Sequence, residues 1–164
     1  MNERPKIKLE QSTLDKMLEM LGWTSILAIW VLVITSYQNL PDIIPIHYNS
    51  AGQANDFGGK GHILTLPIVA TFLFIGLSIL NKFPHVFNYP TNITEDNALK
   101  QYTKATRLLR YLKFIIVLIF GLITMKTISN VYEQTNGLGT WFLALTIGLV
   151  IIPLTYYVIK SLSR

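Results

Sequence analysis

The sequence predicts an all-α polytopic membrane protein, a four-transmembrane-helix bundle with an ordered extracytoplasmic loop between helices 1 and 2. Three observations lead there. Hydrophobic residues make up 51% of the chain and charged residues 14%, whereas a soluble surface normally needs about a quarter charged. Leu21–Tyr37, Ile63–Leu80, Leu112–Val131 and Trp141–Ile159 are nearly unbroken apolar runs, each close to the ~20 residues with which a helix crosses a ~30 Å hydrocarbon layer. Cations gather in alternate connections between these runs. Reading the four runs as buried helices of a soluble protein leaves too few amphipathic segments to cover them.

In chain order, residues 1–20 form a cytoplasmic amphipathic lead-in. Ser12 followed by Asp15 is a capping pair, so a helix is expected to start near Thr13 and run on into span 1, residues 21–40. No small-residue cleavage pattern follows the first apolar run, which is therefore expected to stay as an anchor. Residues 41–62 are the outer motif loop. Pro41 and Pro45 prevent the helix from continuing, Ile43, Ile44 and Ile46 suit an apolar extended piece, and Gly52, Gly58, Gly59 and Asn55-Asp56 supply turn positions.

Span 2, residues 63–81, ends at Asn81-Lys-Phe-Pro84, where proline stops the hydrogen-bond ladder. Residues 82–111 hold a cytoplasmic loop and helix. The helix restarts after Thr94, whose hydroxyl is suited to cap backbone amides while Glu95 and Asp96 complement the positive helix end. No breaker follows before Gly137, so residues 95 to 134 are expected as one helix of about 60 Å that includes span 3, residues 112–133. Asn136-Gly137 and Gly139 make an outer turn over 134–140. Span 4 covers 141–160, with a kink expected at Pro153 and a cytoplasmic tail over 161–164.

Orientation follows from the cations. Arg4, Lys6, Lys8 and Lys16 precede span 1; Lys82, Lys100, Lys104, Arg107, Arg110 and Lys113 lie between spans 2 and 3; Lys160 and Arg164 close the chain. Only Lys60 and Lys126 fall on the other side, so both termini are expected in the cytoplasm and the motif loop outside. The chain has no cysteine, which excludes disulfides, thiolate nucleophiles, cysteine-ligated zinc and iron–sulfur clusters. Nothing in it calls for a cofactor.

Lys100, Lys104 and Arg107 share a helix face at i, i+4 and i+7, and Arg110 and Lys113 continue it toward the bilayer. Anionic lipid headgroups on the cytoplasmic side are the expected partner, at about 1 kcal/mol per cation; the readout chemistry of a nucleic-acid binder is missing. Lys126 lies inside an apolar run and forms a polar stripe with Asn130 and Glu133. It is either a functional intramembrane charge or a lysine that snorkels outward.

The motif loop carries Asp42, His47, Asn49, Asp56, Lys60 and His62. His47, Asp56 and His62 match no zinc-ligand spacing, Asn49 to Gly59 lacks the acidic ligands of a calcium loop, and Ser50 sits in no nucleophile turn. No metal and no catalytic residue is expected. The expectation is instead that the loop folds over the bundle mouth, with His47, Asn49, Asp56, Lys60, Lys126 and Asn130 around one ligand-binding pocket. Asp56 is the first choice as partner of Lys126, and Asp42 and Glu133 are the alternatives.

Leu40-Pro41-Asp42, Ile44-Pro45, His47, Asn49, Gly52, Asp56 and Lys60, set between two spans, resemble the bacterial membrane family called domain of unknown function 1648. The resemblance covers roughly Ser36 to Leu80. It makes Pro41, Asp42, Pro45 and Gly52 structural motif positions and implies a multi-pass protein of the bacterial cytoplasmic (inner) membrane. That family includes the amino-terminal part of immunity proteins against a secreted sporulation-delaying toxin, which continue into a second long membrane region. Phe87-Asn-Tyr-Pro90 and Thr94 to Arg110 look like features of shorter relatives. The expected function is a non-enzymatic envelope recognition or immunity/signalling-type module whose outer loop meets a peptide, lipid or protein. The alternatives are a transporter component with Lys126 on its pathway and a membrane-embedded enzyme using His47 and Asp56.

Overall fold

Ser12 opens the first helix by the capping box that its sequence predicts. The Asp15 backbone N–H donates to Ser12 Oγ at 3.3 Å, and the Ser12 N–H donates back to Asp15 Oδ2 at 2.9 Å. Helix α1 then runs over Thr13–Ser36. The computed structural model describes residues 4–133 and 137–162. The expected positions of Gln134, Thr135, Asn136 and Arg164 lie outside the described residues.

Three more helices follow: α2 over Thr65–Leu80, α3 over Glu95–Glu133 and α4 over Trp141–Leu162. All four are long and apolar enough to cross a membrane once the short 3-10 turn at Lys60–Leu64 is joined to α2. Before α1 the lead-in is extended rather than helical. Pro5, Ile7 and Leu9 are partly buried while Arg4, Lys6, Lys8 and Glu10 are exposed, the period of two of an extended segment with one side against the protein. Arg4 Nη1 fastens it by donating to the carbonyls of His85 at 3.2 Å and Phe87 at 2.5 Å.

The α3 start is capped differently from the expectation. Asn97 Oδ1 accepts from the Thr94 N–H at 3.0 Å, so the side chain that satisfies this end stands inside the first turn. As expected, α3 is one unbroken helix of 39 residues. It is also the hub of the bundle: α1, α2 and α4 all pack against it, and α4 meets little else. Phe142 and Ser161 are the buried residues of α4, and Ile147, Ile151, Ile152 and Ile159 point outward, the surface that lipid rather than protein would cover. Pro153 sits within this helix.

One apolar core lies between α1, α2 and α3, with Ile26, Ile29, Val33, Phe74, Val117 and Ile128 at its centre. Gly22 makes the close approach of α1 to α2 possible, since a Cβ there would sit 2.3 Å from the Phe74 ring. A second cluster, Ile115, Ile119, Leu138 and Phe142, joins α3 to the start of α4. At the other end of α4 a buried reciprocal pair holds it to α3: Ser161 Oγ donates to Gln101 Oε1 at 2.5 Å, and Gln101 Nε2 donates to the Ser161 carbonyl at 3.2 Å.

The ordered loop between α1 and α2 is a two-stranded antiparallel hairpin, β1 over Ile43–Tyr48 and β2 over Ala54–Gly59, the only strands among the described residues. Branched Ile43, Ile44 and Ile46 favour the pleated backbone. The pairing is irregular on either side of His47, next to Pro45, which has no N–H to give the ladder.

Candidate functional site

Three anchors seat the hairpin across the ends of the helices. Ile44 is fully buried and joins Leu40 and Ile63 in the main core. The Tyr48 hydroxyl is 2.8 Å from Thr127 Oγ1 on α3. Gly52, at the turn, accepts from the Leu138 N–H at 2.6 Å through its carbonyl, which ties the hairpin to the α3–α4 connection.

Beneath this bridge lies a cavity of about 500 Å³. Its walls are apolar and come from the hairpin, α2, α3 and α4, with Ile63, Leu66, Ile123, Leu138 and Phe142 among them. His47, Asn49, Ser50 and His62, with the hydroxyls of Tyr48, Thr65 and Thr127, supply its polar groups. An apolar chamber with a few polar groups at one edge suits an amphipathic or apolar ligand.

The six expected ligand residues are not gathered around this chamber. His47 and Asn49 line it; Asp56, Lys60, Lys126 and Asn130 do not. Asn49 is chiefly a turn builder: its Oδ1 accepts from the N–H groups of Ala51 and Gln53, both at 3.0 Å. His47 and Asp56 are cross-strand neighbours, yet the His47 ring meets Asn55 Oδ1 at 2.6 Å and the Asp56 carboxylate accepts from the Phe57 N–H at 2.9 Å. Lys60 pairs with Asp42 at 3.2 Å. That pair and the Lys60 N–H bond to the Asp42 carbonyl at 2.9 Å close the hairpin base; being exposed on the Asp42 side, the ion pair contributes well under 1 kcal/mol.

The pairing of Lys126 with Asp56, Asp42 or Glu133 is also corrected. Among the described residues no carboxylate lies within 4.0 Å of Lys126. The reason is angular, since Lys126 stands about 100° around α3 from Thr127, the residue that meets the hairpin. Asn130 is buried and donates to the Gly137 carbonyl at 3.0 Å, supporting the α3–α4 connection.

Gly52 belongs to the motif for a clear reason. Its φ is +76°, and a Cβ would lie 2.5 Å from the Gly139 carbonyl oxygen. Among the described residues no cluster of three or more His, Asp or Glu could hold a metal ion.

The basic face of α3 does not stay on the surface. Arg107 Nε lies 3.2 Å from Asp15 Oδ1, Arg110 reaches Asp15 at 3.6 Å and Glu19 at 3.3 Å, and Lys113 Nζ lies 2.6 Å from Glu19 Oε2. Arg110 and Lys113 are buried and are withdrawn from lipid contact; Lys100 is exposed and Lys104 partly so. Asp15 and Glu19, one helical turn apart in a cation-rich lead-in, were the signal that this face would turn inward.

Comparison with known proteins agrees on the hairpin region. Residues 24–71 match the family described as Domain of unknown function (DUF1648). The matched stretch holds the second half of α1, the hairpin and the start of α2; of these, the hairpin and α2 line the chamber. An uncharacterized protein of Archaeoglobus fulgidus is 24% identical over 111 residues, covering 63% of this chain. The chain spans 61% of the length of that relative. No solved structure matches.

Proposed function

We propose that this chain is a membrane recognition module, of the immunity or signalling type, that admits an apolar or amphipathic peptide or lipid into the chamber beneath its hairpin. The observation that carries the reading is the chamber's composition: apolar walls contributed by three helices, closed by a hairpin anchored at Ile44, Tyr48 and Gly52. His47 and Asn49 already have partners within the hairpin, so their place is at the rim.

Leu143 lines the chamber and is exposed. A photoreactive benzophenone residue there should capture a discrete lipid or peptide adduct in irradiated membranes, whereas the same group at exposed Val86 should not. Ile123→Trp, which fills the chamber from α3, should remove the adduct. Equal labelling at both positions, or labelling indifferent to the tryptophan, removes the reading.

The proposed setting is the bacterial cytoplasmic membrane with both termini inside. Twelve of the fourteen cations would then face the cytoplasm. A reporter active only in the cytoplasm should work when fused after Arg164, and one active only outside should work when inserted at Gln53. The reverse pattern would place the chamber on the cytoplasmic face.

A further inference from the structure

A second cavity, of about 480 Å³, lies between α3 and α4 at the end away from the hairpin. Its polar end is lined by Lys104, Arg107 and Lys160 with the hydroxyl-bearing rings of Tyr156 and Tyr157. Among the described residues no acidic residue lines it. Two of the cations come from different helices and are held together: Lys104 Nζ donates to the Lys160 carbonyl, and Lys160 Nζ donates to the Tyr156 hydroxyl at 2.8 Å. Arg107 also reaches Asp15, which it shares with Arg110, so three cations from two helices converge on one cavity, a grouping suited to an anionic group.

Toward the middle of both helices the cations give way to Leu108 and the Tyr111 ring on α3 and to Ile152 and Pro153 on α4, while Leu14 of α1 borders the cavity. Ile152 is largely exposed, and the outward face of α4 continues the apolar track. The cavity is therefore graded along the helix axes, cationic at its aqueous end and free of charge, with aliphatic and aromatic walls, at its membrane end.

We infer that this cavity binds one anionic phospholipid, with its phosphate among Lys104, Arg107 and Lys160 and an acyl chain running past Leu108 and Ile152 along α4. The polarity gradient selects a lipid over a soluble phosphate, because only a lipid matches both ends. This is a defined site on two helices, distinct from a general attraction of basic residues to the leaflet surface. It also explains how α4, which packs chiefly on α3, is held along its length: the lipid would fill the seam that protein contacts leave open.

The test is native mass spectrometry of the full chain in mild detergent, titrated with phosphatidylglycerol, with phosphatidylcholine of the same acyl chains, and with glycerol phosphate. Phosphatidylglycerol should give one discrete adduct and bind more tightly than phosphatidylcholine. Lys104→Gln with Lys160→Gln should weaken it about 30-fold, the effect of losing two cations beside an anionic headgroup, and Lys160→Gln alone about fivefold. Lys6→Gln with Lys100→Gln removes the same charge outside the cavity and should change binding by less than about threefold. Equal affinity for the two lipids, equal loss in the control pair, or equal binding of glycerol phosphate each overturns the proposal.

Discussion

Gly52→Ala should cost this protein about 2–5 kcal/mol, which for a chain of this size lowers the melting temperature by about 5–15 °C. Two penalties combine. The residue sits at φ +76°, where an L side chain is strained, and the added methyl would lie 2.5 Å from the Gly139 carbonyl oxygen. That neighbour is backbone and has little room to yield, because Gly137 and Gly139 are themselves at φ +117° and +90° and Gly137 is pressed against the Gly52 carbonyl. The hairpin would have to lift, breaking the Leu138 to Gly52 hydrogen bond and opening the chamber. In this cysteine-free chain a single cysteine at buried Leu138 should then become reactive to a maleimide. Gly76→Ala is the matched control. Nothing lies within 4 Å of a Cβ at Gly76, and alanine is the better helix residue by roughly 0.5–1 kcal/mol, so that variant should melt no lower than the parent. A Gly52→Ala protein that melts with the parent, and keeps Leu138 protected, would mean that the turn is not what holds the hairpin down.

The sequence reading went furthest where local chemistry decides structure. Apolar length set the four spans, Ser12 and Asp15 set the start of α1, and the gap in breakers after Thr94 set the long α3. The motif loop was legible as ordered, but its strands were not, because two six-residue pieces interrupted by Pro45 and two glycines give little period-two pattern. The pocket was harder still. Its apolar walls lie on α2, α3 and α4 as well as the hairpin, and their convergence depends on helix rotation, which spacing within one helix does not specify. The same missing rotation explains the corrections at Lys126 and at Arg110 and Lys113. Lys126 stands on a different bearing of α3 from the residue that meets the hairpin, and Arg110 and Lys113 turn inward because the carboxylates that claim them sit far away in the sequence, on α1.

Lys113, rather than Lys126, is the charge on which the bundle depends. Its side chain has no exposed surface. Nζ donates to Glu19 Oε1 at 2.7 Å, Glu19 Oε2 at 2.6 Å and Ser78 Oγ at 2.6 Å, and lies 4.4 Å from the centre of the Phe74 ring. The serine in turn donates to the Phe74 carbonyl at 2.7 Å, so one ammonium joins α1, α2 and α3. Removing a single partner of such a buried pair strands the other, at a cost of about 3–5 kcal/mol. Lys113→Met and Glu19→Leu should therefore each destabilise strongly, Lys113→Met a little less because Arg110 still reaches Glu19 at 3.3 Å. Lys126→Met should stay within about 0.5 kcal/mol, as expected for a partly buried residue with no ion-pair partner among the described residues. The decisive variant is the double one. If the ammonium and the carboxylate stabilise mainly by satisfying each other, Lys113→Met with Glu19→Leu should recover most of what either single change loses, since apolar groups of similar volume can replace a buried pair. Losses that simply add in the double variant would show that the two side chains act separately, and that the cation–ring contact and the serine bond, rather than the ion pair, fasten α3 to its neighbours.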